Sequence, residues 1–208
     1  KMKHVRGVLL CLLLGLAAAG CVSGKPHLES LNELQSGDIV LVGRIELVPP
    51  LNPKEQQLDT ATSGRFRGMA HALVSDRRFD LDDLPISAGS HALFIELGKD
   101  YYIRQPRQSP LYYSGSLILL RSSASYSGYM NRNVTIDHGQ IKLPGKLKYV
   151  IPPGARAVYL GTLRYHRNDY NAITRTEYID DYARASREFA RRFGGRVVLQ
   201  KVSPQRAP

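Results

Sequence analysis

The chain has 208 residues, 43% of them hydrophobic, with 29 Lys and Arg against 18 Asp and Glu and a formal charge of +11. Its two cysteines, Cys11 and Cys21, exclude a disulfide-stapled scaffold, so any domain here must hold together by its own core. The basic charge suits an anionic partner, yet no helix-turn-helix, zinc-finger or RNA-binding motif accompanies it, which argues against nucleic acid.

In chain order, Lys1, Lys3 and Arg6 precede an almost unbroken apolar run from Val8 to Ala19, which ends in Ala17-Ala18-Ala19-Gly20-Cys21. A positive start, an apolar stretch and small residues at its end are the layout of an export signal. The stretch is about a dozen residues, short of the roughly 20 a spanning helix needs.

Ala18-Ala19-Gly20-Cys21 resembles the lipobox of bacterial lipoproteins, with Ala18 where leucine is usual. The resemblance implies that residues 1–20 are removed and that Cys21 becomes the lipid-modified first residue. Cys11 would leave with the leader, so the mature chain would have no disulfide. Val22, in place of Asp, implies delivery to the outer membrane with the domain on its periplasmic face. Lys1, Lys3 and Arg6 depart with the leader, so the net charge falls from +11 to +8. That surplus suits an anionic lipid, an acidic polymer or the acidic face of an envelope protein.

Residues 21–36 read as the lipidated cysteine and a short tether. A single domain of about 165 residues follows over 37–202, with a loose tail at 203–208. Gly37-Asp38 opens a β-branched strand, Ile39 to Val48, stopped by Pro49-Pro50; residues 49–68 read as a loop. His91 to Leu97 and Tyr101 to Arg104 flank Gly98-Lys99-Asp100, predicting a hairpin. Leu117 to Arg121 is a short strand, and Ser122 to Gly128 a loop. Asn133 to Asp137 and Gln140 to Leu143 flank His138-Gly139, predicting a second hairpin. Tyr149 to Ile151 and Ala157 to Tyr165 bracket Pro152-Pro153-Gly154. Arg196 to Lys201 is a last strand.

One helix is expected, over about 175–193. Thr174 and Glu177 have the spacing of a capping box, Asp180 and Asp181 place negative charge near the start, and Gly194-Gly195 ends it. Tyr178, Ile179, Tyr182, Ser186, Phe189, Ala190 and Phe193 recur at helical spacing as a packing face. The fold class is therefore mainly β, an antiparallel β-sandwich with a C-terminal amphipathic α-helix. Ile151-Pro152-Pro153-Gly154, the tyrosine-bearing strand after it and the acidic helix start resemble envelope lipoproteins with small transthyretin-like β-sandwich domains.

No Gly-x-Ser-x-Gly elbow, Ser-x-x-Lys pair or reactive mature cysteine marks a catalytic site. His71 with Asp76, Asp80, Asp82 and Asp83 reads as loop charge around Arg77-Arg78. His166 with Asp169 lacks the further ligands of a metal shell, and no metal or cofactor is expected. The candidate binding face is the stripe Arg184, Arg187 and Arg191, with Arg192 and Arg196 beside it, set away from the aromatic face. The sequence thus reads as a membrane-anchored envelope component that binds or assembles. An envelope hydrolase with an unrecognised site, or a structural accessory subunit, stands as the alternative.

Overall fold

The computed structural model describes residues 27–53, 55, 69–78, 92–120, 123–125, 135–137 and 139–207. The leader, Cys21, most of the 49–68 loop, Asp80, Asp82, Asp83 and His138 lie outside them. The strands are β1 (Asp38–Val48), β2 (Met69–Ser75), β3 (Ala92–Glu96), β4 (Asp100–Pro106), β5 (Leu111–Leu119) and β6 (Ser123–Ser125). They continue with β7 (Thr135–Asp137), β8 (Gln140–Tyr149), β9 (Ala157–Arg167) and β10 (Ile173–Ile179). Helix α1 (Tyr182–Phe193) precedes two short strands, β11 (Leu199–Lys201) and β12 (Gln205–Arg206).

A first sheet runs β10-β9-β1-β4, with β11 beside the start of β9; a second runs β12-β8-β5-β2-β3. The two pack face to face around Ile39, Leu41, Ile45, Ile103, Val158 and Tyr165 of the first and Leu93, Ile118, Ile141, Leu143 and Tyr149 of the second. Helix α1 lies on the outer side of the first sheet. The mainly β sandwich with a C-terminal helix is the fold the sequence predicts, although β1 and β11 both run parallel to β9.

Burial on both faces explains the first strand. Ile39, Leu41, Ile45 and Leu47 enter the core between the sheets, while Val40 and Val42 enter a second cluster with Ala157, Tyr159, Ala185 and Phe189 under the helix. A strand covered on both sides reads as a continuous β-branched run, here Ile39-Val40-Leu41-Val42. Tyr101 and Tyr102 follow the same rule, one ring in each cluster. The core tyrosines keep their hydroxyls satisfied: Tyr165 donates to the Pro144 carbonyl at 2.9 Å and lies 3.0 Å from the Tyr113 hydroxyl, and Tyr149 donates to the Leu160 carbonyl. Burial pushes the Tyr113 phenol up to about 12.

Several local expectations are corrected. Thr174 is not a helix cap: Ile173–Ile179 is an edge strand antiparallel to β9, and the helix begins at Tyr182 with Asp181 as its N-cap. The Ile-Thr-Arg-Thr-Glu-Tyr-Ile run is β-prone and pairs across the Asn168–Ala172 turn, so the partner strand overrides the capping spacing. Tyr178 and Ile179 therefore leave the helical face, Ala190 is exposed, and Ala185 joins Phe189 as the buried pair.

Gly98-Lys99 does not close a hairpin. β3 pairs with β2 and β4 with β1, so the turn carries the chain from the second sheet to the first, pinned by Gly98 N–H donating to the Ile45 carbonyl. Nor do β7 and β8 form the expected hairpin: β7 pairs with β6 and β8 with β5, and the Gly139 carbonyl, just before β8, accepts from Leu120 N–H.

Both ends of the described chain are docked. Leu28 is buried against α1 and donates its N–H to the Tyr102 carbonyl, and Ser30 with Glu33 forms a capping box on a short 3-10 turn, Leu31–Glu33. In the segment expected as a loose tail, β12 pairs with β8 and Ala207 is buried. An apolar residue that finds a pocket outweighs the polar composition around it.

Candidate functional site

The outer face of the first sheet is divided. Beyond Val42 the outward residues turn charged, and side chains from β1, β4, β9, β10 and α1 join into one network. Arg184 grips Asp100 with both terminal nitrogens, at 2.6 and 3.0 Å, and also pairs with Asp181. Arg44 Nε donates to Asp100 at 2.9 Å and reaches Glu46, which accepts from Arg164 Nε at 2.8 Å. Arg164 extends to Glu177, which also takes His166 at 3.0 Å and pairs with Arg175.

These charges fit the strand geometry, because residues opposite one another on one face are within reach. The register places Arg44 opposite Asp100, Glu46 opposite Arg164 and Glu177 opposite Arg164. Burial pushes the Asp100 carboxyl up, yet the hydrogen bonds from Arg184 and then Arg44 outweigh it together, leaving its pKa below the ordinary carboxylate value. Glu177 is also lowered, first by its hydrogen bond with His166 and then, against partial desolvation, by the Arg175 and Arg164 charges. Four arginines meet four carboxylates here, so the network is self-compensated.

The structure separates the predicted arginines by role. Arg184 is taken by Asp100 and Asp181 and holds the start of α1 to β4. Arg192 lies over Tyr102, its guanidinium carbon 5.0 Å from the ring centroid, and donates to the Leu28 carbonyl at 3.5 Å. Arg191 is exposed and pairs with Glu188, one turn earlier. Arg187 is exposed. Arg192 and Arg196 line a hollow of about 240 Å³ between the end of α1 and the N-terminal turn, together with Glu29, Ser30, Asn32 and Phe193.

The other sequence candidates do not assemble among the described residues. His71 sits on β2, edge-on to Phe94 at 4.7 Å, where burial lowers its pKa and favours the neutral ring. Asp76 instead accepts from the neighbouring Ser75 hydroxyl at 2.9 Å. His166 bonds to Glu177 rather than Asp169. Among the described residues no three His, Cys, Asp or Glu side chains cluster as metal ligands would.

Two charged features escape the sequence reading. Arg167, with its side chain 5% exposed, clamps the start of the 49–68 loop by donating to the Pro49 and Pro50 carbonyls and to both Glu55 oxygens, at 2.6 and 2.9 Å. Lys142, Lys146 and Lys148 mark β8, while β5, β8 and β12 carry no Asp or Glu at all. The alternation of Lys with apolar residues in Ile141-Lys142-Leu143 was the available signal for the second; for the first, the partners lie too far apart in sequence. No known protein family matches the chain, and no curated protein or solved structure is significantly similar to it.

Proposed function

We propose that this chain is a lipoprotein of the bacterial envelope, acylated at Cys21 and held on the periplasmic face of the outer membrane, whose sandwich domain works as a binding or assembly component. The observation that carries the reading is the small-residue run Ala18-Ala19-Gly20 leading into Cys21 after a short apolar leader. No described helix is long and apolar enough to cross a membrane.

Several acyl chains on one cysteine hold a protein on a bilayer far more firmly than one chain does. The binding role rests on the exposed arginines of α1, since the sheet network is compensated within itself. Metabolic labelling with a clickable fatty acid in cells tests the anchor. The wild-type chain takes up label, and Cys21→Ser loses it and leaves the membrane fraction or accumulates as precursor; persistent label on Cys21→Ser overturns the reading.

A further inference from the structure

The end of α1 and the way the chain arrives at the domain point to a membrane-facing surface. Only six residue steps separate Cys21 from His27, which bridges to Ile103 on β4. Even fully extended, those steps span about 20 Å. The next residue, Leu28, is buried under α1 with its carbonyl accepting from Arg192. An anchor at Cys21 therefore holds the last turn of α1 close to the bilayer.

The surface at that place has the chemistry of an interface with anionic lipid. Arg187 and Arg191 on α1, and Arg192 and Arg196 at and just past its end, are all exposed, and Val198, two residues further on, is 71% exposed. Glu188 and Glu29 offset part of the charge. Arg192 and Arg196 flank the hollow, large enough for a phosphate headgroup, and guanidinium forks suit phosphate oxygens. The β9–β10 turn lies a strand's length away: β9 has 11 residues, about 35 Å, and Tyr170 beyond it is 91% exposed.

We propose that the C-terminal end of α1, with the hollow between it and the Leu31–Glu33 turn, rests on the anionic bilayer to which Cys21 is tethered, so that the β9–β10 turn points away from the membrane. This rests on the anchor reading for the tether, but the surface itself is testable without a lipid. The probe is the chain from residue 21 with Cys21→Ser, which retains every described residue, sedimented with vesicles of phosphatidylcholine alone or mixed with phosphatidylglycerol.

Binding to the anionic vesicles is expected to be at least tenfold tighter than to the neutral ones. It falls about tenfold in Arg187→Glu/Arg191→Glu/Arg196→Glu and stays unchanged in Lys142→Glu/Lys146→Glu/Lys148→Glu, which keeps the end of α1 and changes the charge of β8 by the same amount. Equal binding to both vesicles, or loss only in the lysine variant, overturns the proposal. Should the arginine variant fail to fold, a fluorophore at Val198→Cys decides: quenching by nitroxide lipid there and not at Tyr170→Cys supports the orientation, and the reverse overturns it. Acylation is read separately. Label at Cys21 without vesicle selectivity leaves the anchor and removes this surface, whereas selectivity without label does the opposite.

Discussion

At Val40 and Val42 the outer face of the first sheet is dry, and two residues further along the same strand, at Arg44 and Glu46, it is built of ion pairs. The alternation of β1 is the same in both halves; what lies above it differs. Helix α1 crosses the strands at one level, with Tyr182 at its start against Tyr159 on β9 and Phe193 at its end against Tyr102 on β4, both in register with Val42. It covers that part of the face, and beyond it the outward side chains are polar and charged. Arg184 marks the boundary, since it stands on the helix and reaches down to Asp100.

The comparison breaks first in the dry half. Phe189 is 1% exposed and touches Tyr102 and Phe193, so Phe189→Ala should cost about 3–5 kcal/mol in urea unfolding. A loss under 1 kcal/mol would mean that the helix is an appendage. On the seam between the halves, Gly161 has φ +95°, and a Cβ there would collide with the Tyr178 ring. Gly161→Ala should therefore lose about 1–3 kcal/mol, a shift readable in the same assay.

In the charged half, Asp100→Asn removes the acceptor shared by Arg44 and Arg184 and should cost about 2 kcal/mol at neutral pH. The pH dependence has a definite sign. Asp100 and Glu55, the latter lowered chiefly by its hydrogen bond from Arg167, titrate below their unfolded values of about 4. Their stabilisation is complete above that pH and is lost as pH falls through the folded values. Thermal unfolding should be flat in this respect from about pH 5 to 8 and fall below about pH 4, less steeply in Asp100→Asn. The smallest effect belongs to Arg187→Glu, an exposed site, expected within about 0.5 kcal/mol of the parent.

The dry half was legible in the sequence and the charged half was not. Ile39 to Val48 announces a strand by β-branching, and Tyr182, Phe189 and Phe193 recur at helical spacing on one face. The start of the helix was misread because Thr174 and Glu177 satisfy a capping box and a strand alternation equally well, and only pairing with β9 decides. Gly98-Lys99 has good turn chemistry, but whether a turn closes a hairpin or crosses between sheets depends on partners far along the chain. The same limit hid the site. Arg184 and Arg187 look alike three residues apart on a helix, and what separates them is Asp100, 84 residues away from Arg184.

Residue-resolved hydrogen exchange on Phe189→Ala, compared with the parent, tests the division most directly. If the helix seals only one half of the face, the amides of Val40, Val42, Tyr159 and Leu28 lose protection while those of Ile45, Leu163 and Tyr165 keep most of theirs. A uniform loss along β1 and β9, or no change at Val40 and Tyr159, would contradict it.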